Sequence, residues 1–109
     1  MVLGTTLFKL DGNAYYTPEF PRGGLSAYFT VQVTHVSASP TLNIDIETRN
    51  EEDTTWTTAA SFDAISSLSV AGKDASSLKE VVRLKLAVSG ATAAAAVHFI
   101  LPAPAWRPN

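Results

Sequence analysis

The stretch LSAYFTVQVTHV, residues 25–36, places Leu25, Ala27, Phe29, Val31 and Val33 on one side and Ser26, Tyr28, Thr30, Gln32 and Thr34 on the other. Successive side chains of an extended chain point to opposite faces, so a repeat of two residues fits a half-buried strand and fits no helix. The pattern recurs in TLNIDIETR, with Leu42, Ile44 and Ile46 inward and Asn43, Asp45, Glu47 and Arg49 outward. SASP, residues 37–40, separates the two, and Pro40 cannot continue a ladder of hydrogen bonds. This spacing predicts an antiparallel hairpin.

Further segments repeat the signal. TTLFKL and NAYYTPEF flank Asp11-Gly12, a hairpin turn dipeptide. NEEDTT is a polar turn leading into WTTAASF, in which Trp56 is predicted to face the core. DAISSLSVAGKDASSLK is small and polar, and is predicted to hold an edge strand and a turn at Ala71-Gly72. EVVRLKLAVSG sets Val82, Leu84, Leu86 and Val88 against Arg83 and Lys85, with a turn at Ser89-Gly90. The alanines that follow favour a helix by propensity, but too few residues separate Gly90 from Pro102, and VHFIL is strand-like. A strand running back as a hairpin is the simpler reading.

Seven or eight short strands in 109 residues predict an all-β chain: one antiparallel β-sandwich over residues 1–101, with jelly-roll or immunoglobulin-like wiring. Residues 102–109 are predicted to form an extended C-terminal arm. Pro102, Pro104 and Pro108 lack amide hydrogens, so the arm should run near polyproline II rather than pair as a central strand.

Several functions are disfavoured. A net charge of −2 offers no field to attract nucleic acid. Without cysteine there are no disulfides, thiolate metal sites or cysteine nucleophiles. MVLGTTLFKL has neither the basic nor the long apolar region of a signal peptide, and AAAAVHFILPAPAW is too interrupted to span a membrane.

No catalytic apparatus is legible, so the protein is not expected to be an enzyme. No serine sits in a Gly-x-Ser-x-Gly elbow. Asp45, Glu47, Glu51, Glu52 and Asp53 lack the ladder and glycine of a calcium loop, and read as a solvated hairpin end. His35 and His98 lie on separate strands, whereas a hydrolytic zinc site commonly takes three protein ligands. No cofactor is expected.

What remains is contact surface. Charged residues make up 17% of the chain, against about 25% in an average globular protein, and such a surface resists association poorly. Gly23 and Gly24 are predicted to supply a bend with positive φ, from which Arg22 can project toward a partner. Tyr28 falls on the polar side of its strand, either exposed or covered. Burying Trp106 would remove roughly 200 Å² from water, so the arm should dock on its own domain or on a neighbour, with Arg107 beside it. The candidate interface is therefore Arg22, Tyr28, Pro102, Pro104, Trp106 and Arg107. Tyr15, Tyr16, Tyr28 and Trp56 allow a second reading, an aromatic platform for a sugar ring.

The segment LNIDIETRNEEDTTWTTAASF, the FPRGG lead-in and the apolar arm together resemble small β-sandwich structural proteins of tailed-phage particles. Capsid decoration (cement) proteins and tail components are among these. The resemblance implies a virion subunit, assembled in the host cytoplasm, that forms homo-oligomers or binds a shell protein. The alternative is a carbohydrate- or surface-binding module.

Overall fold

The computed structural model describes residues 3–8, 15–37, 41–89, 96–102 and 104–107. The predicted turns at Asp11-Gly12 and Gly90, the break at Pro40, Ala93–Ala95 and Pro108 lie outside the described residues. Among those described, ten strand segments occur: β1 (Leu3–Phe8), β2 (Tyr15–Tyr16), β3 (Phe20–Pro21), β4 (Ser26–Ser37), β5 (Thr41–Arg49), β6 (Thr57–Ser61), β7 (Ser69–Ala75), β8 (Val81–Ser89), β9 (Ala96–Leu101) and β10 (Ala105–Arg107). They form two antiparallel sheets packed face to face.

In the first sheet β9 lies between β1 and β4, and β7 pairs the other edge of β4. In the second, β8 and β5 are central, with β6 beyond β5 and both β2 and β3 along the outer side of β8. Two pairs of segments are single strands interrupted at proline. β9 and β10 follow the same edge of β4, where the register runs from Ile100 opposite Gln32 to Ala105 opposite Tyr28, four chain positions against three. Likewise residues 17–19 between β2 and β3 oppose only residues 83 and 84 of β8. Each interruption holds one extra residue, and Pro18, Pro102 and Pro104 sit there because a bulge does not ask them for an amide hydrogen.

Merging those segments leaves eight strands, of which the first pairs the last, the second the seventh, the third the sixth and the fourth the fifth. This is one long hairpin wrapped over a barrel, the jelly-roll wiring. It corrects three expected hairpins. β4 and β5 belong to opposite sheets, as do β8 and β9, and as do β1 and β2. β4 and β5 therefore do not pair with each other, and each finds its partners in its own sheet. A turn and two alternating strands satisfy either geometry, so the local pattern is silent on the choice.

The core follows the period-two pattern. Ala27, Phe29, Val31 and Val33 of β4 and Val97, Phe99 and Leu101 of β9 face Leu42, Ile44 and Ile46 of β5 and Val82, Leu84, Leu86 and Val88 of β8. Leu25, expected inside, precedes β4 and is exposed. Ala71 and Gly72 form no turn but lie within β7, opposite Val31 and Thr30. Two buried threonines are satisfied. Thr17 Oγ1 accepts from the Leu84 amide at 3.0 Å, and Thr48 Oγ1 accepts from the Lys79 amide at 2.8 Å while donating to the Val81 carbonyl at 2.9 Å.

Candidate functional site

The arm folds back on its own domain. Ala105, Trp106 and Arg107 pair with Tyr28, Ala27 and Ser26, so the expected unpaired extended segment is instead a short strand in a sheet. It can pair because the missing amides of Pro102 and Pro104 fall in the bulge, leaving residues 105–107 with theirs.

Trp106 is half-buried against the core, edge-on to Phe20 and to Phe29 with ring centroids 6.2 and 6.3 Å away. Gly23 and Gly24 fit beneath it. A Cβ on Gly23 would stand 2.7 Å from Trp106 Cγ, and one on Gly24 would stand 2.0 Å from the Arg107 carbonyl oxygen. Neither glycine has the positive φ expected of it; what both supply is room.

Arg22 is exposed, yet its guanidinium is also held by its own domain. Its guanidinium donates to the Leu78 carbonyl at 2.5 Å and its amide to the Glu80 carbonyl at 3.1 Å, while the Leu78 amide donates to the Leu25 carbonyl at 2.9 Å. Those bonds tie the 22–25 loop to the 76–80 loop. The Arg107 guanidinium pairs with Asp74 of β7, and Tyr28 lies across Gly72, where a Cβ would meet its hydroxyl at 1.9 Å. The fold thus brings Arg22, Tyr28, Trp106 and Arg107 to one end of the first sheet, bound mostly to each other's neighbours, with the phenol of Tyr28 still exposed.

The outward surface of that sheet is built from Tyr28, Thr30, Gln32, Thr34 and His35 of β4, Val70 and Asp74 of β7, and His98 and Ile100 of β9. Val70 is 70% exposed and the nearby Leu68 62%, so apolar atoms face solvent there. The Asp74–Arg107 pair lies at its margin. At the edge, Lys73 stands opposite inward-facing Phe29 yet is exposed, a charge that opposes addition of a further strand there.

The second sheet is different. Asp45, Glu47 and Arg49 of β5 and Arg83 and Lys85 of β8 cover its outer side. Arg83 donates to Glu47 Oε1 at 2.8 Å and lies over Tyr16 (4.0 Å) and Trp56 (4.2 Å); Arg49 stands 5.0 Å from the Trp56 ring. Trp56 is therefore not core, as its pattern predicts, but half-buried outside the sheet beneath two guanidiniums. It precedes β6, where alternation no longer fixes direction, and cation–π contact substitutes for apolar burial. The aromatic residues named for a sugar platform are split between the two sheets, and the Arg83 guanidinium lies against both Tyr16 and Trp56.

Replacing Arg83 by alanine should cost about 1–3 kcal/mol, because it leaves Glu47 unpaired and uncovers two rings. Lysine should recover less than half, since an ammonium cannot stack as a planar guanidinium does. Thermal unfolding of both variants checks this.

Among the described residues no three His, Cys, Asp or Glu side chains gather as a metal-binding group. No helix among them is long and apolar enough to cross a membrane. Comparison with known proteins returns no match: no family model fits the chain, and no curated protein or solved structure resembles it significantly.

Proposed function

We propose that the protein is a non-enzymatic structural subunit that works by contact with copies of itself, in a phage-like particle as a capsid-decoration, capsid-associated or tail component. The observation that carries this reading is the inequality of the two outer surfaces. One carries charge across its middle; the other presents Tyr28, Thr30, Gln32, Val70 and Ile100, with its charges, Asp74 and Arg107, paired at one end. A domain bathed in water on both sides gains solubility from charge on both. Exposed apolar side chains on a surface poor in charge, such as Tyr28 and Val70 here, are a usual mark of a contact site.

The occupant favoured is a second copy. Asp74 and Arg107 give the margin one charge of each sign, so a two-fold contact can set each against its opposite on the other subunit. Jelly rolls build many viral shells, and also lectins, so the fold supports the class by analogy only. In this reading the arm does not reach into a neighbour; Pro102, Pro104, Trp106 and Arg107 complete the sheet that makes the contact.

Sedimentation of the full chain and of a Val70→Lys variant tests the proposal. Val70 is exposed, so the variant should keep its unfolding temperature while a concentration-dependent oligomer becomes monomer. A parent chain that stays monomeric at every concentration overturns self-contact. Retention on a polysaccharide, lost in Tyr16→Ala, would favour the carbohydrate-binding alternative.

A further inference from the structure

We infer that the two histidines of the chain, His35 and His98, form a bidentate site for a divalent transition-metal ion on the outer surface of the first sheet. They are direct cross-strand partners in the β4–β9 ladder. Strict alternation along β4 would send His35 inward with Val31 and Val33. The ladder shifts by one residue between Val33 and His35, so Thr34 is the extra residue and His35, not Thr34, faces His98. Thr34 Oγ1 donates to the His98 carbonyl at 3.2 Å, fixing the bulge on that side. Val97 and Phe99, flanking His98, are buried, so His98 points outward; His35 is exposed and Val36 turns back toward the core. One bulge brings both imidazoles to the same face.

Facing residues of an antiparallel pair have Cβ atoms about 4.5–5.5 Å apart. At that spacing a nitrogen from each ring can reach one ion at about 2.0–2.1 Å. The neighbouring register positions on that face are Gln32 and Ile100 on one side, Ser37 and Ala96 on the other, and Thr6 of β1 opposite His98, and none is a carboxylate. Two neutral imidazoles without oxygen anions suit zinc, nickel or copper and do not suit calcium or magnesium. The remaining coordination positions stay open to water or to a second subunit. The inference rests on strand register and is independent of the function proposed above. In a monomer it gives one ion per chain; where two such surfaces meet, two pairs can complete a tetrahedral set with one ion per two chains.

Calorimetric titration of the full-length protein with ZnCl₂, repeated with NiCl₂, tests it, together with the imidazole resonances in NMR spectra. Saturable binding at either stoichiometry, with both histidines shifting, is the result expected. Loss of a hydrogen-bond partner behind a metal ligand typically costs roughly 10–100-fold in affinity, so His35→Ala and His98→Ala should each weaken binding by at least about 10-fold. His35 is exposed and His98 half-buried, and unchanged circular dichroism will show that the variants fold. Binding that survives either substitution, or none that saturates below millimolar zinc, overturns the site.

Discussion

Gly24→Ala should destabilise the full chain by about 2–3 kcal/mol, in the upper part of the range for overpacked sites. For a domain of this size that lowers the unfolding temperature by roughly 10–20 °C. The added methyl would stand 2.0 Å from the Arg107 carbonyl oxygen, and a backbone atom in a paired strand cannot step aside as a side-chain tip can. Relief requires β10 to leave β4. That would uncover one side of the Trp106 ring and loosen its contacts with Phe20 and Phe29. The same substitution in a chain truncated after Leu101 should cost almost nothing, because the obstacle is gone. Denaturant unfolding of the four proteins gives the coupling directly. Equal losses in both backgrounds would mean that the arm does not rest on Gly24.

Phe99→Ala should cost about 3–5 kcal/mol, a large part of the 5–15 kcal/mol that stabilises a typical domain. Phe99 is fully buried on the central strand β9, opposite Val33, and belongs to the cluster that joins both sheets. Phe99→Leu keeps most of the volume and should cost less than about 1.5 kcal/mol. Trp56→Ala is the informative contrast. Trp56 is the larger side chain, but it lies outside the second sheet under Arg49 and Arg83, so its loss should cost less than that of Phe99. Thermal melts of the three variants rank them. A Trp56 variant as damaged as the Phe99 one would contradict the placement of that indole.

Architecture was legible where a strand has neighbours on both sides. In β5, β8 and β4 as far as Val33 every second residue meets the opposite sheet, and Val31, Ile44 and Leu84 could be assigned inward from spacing alone. Spacing lost its authority where that constraint lapsed. Leu25 lies one residue before β4 and Trp56 one residue before β6, and each turned outward against the pattern. The pairing of β1 with β9 depends on contacts across nearly the whole chain, about which a hairpin-like dipeptide says nothing. The candidate surface was half legible. Trp106 and Arg107 drew notice by composition, but their seat on Gly23, Gly24 and Asp74 was not. The pairing of His35 with His98 was illegible, since one inserted residue in a ladder leaves no mark that alternation can read.

The wrapped-hairpin order also sets a timetable. Leu3 pairs with Leu101, and β1 has no other sheet partner among the described strands. A ribosome adding about 5–20 residues per second needs roughly 5–20 seconds to deliver the second of these after the first. Throughout that interval β1 waits with its backbone unmatched, and the sandwich can close only once Leu101 has been made. Such distant pairings also place refolding in the slow, millisecond-to-second range of small domains.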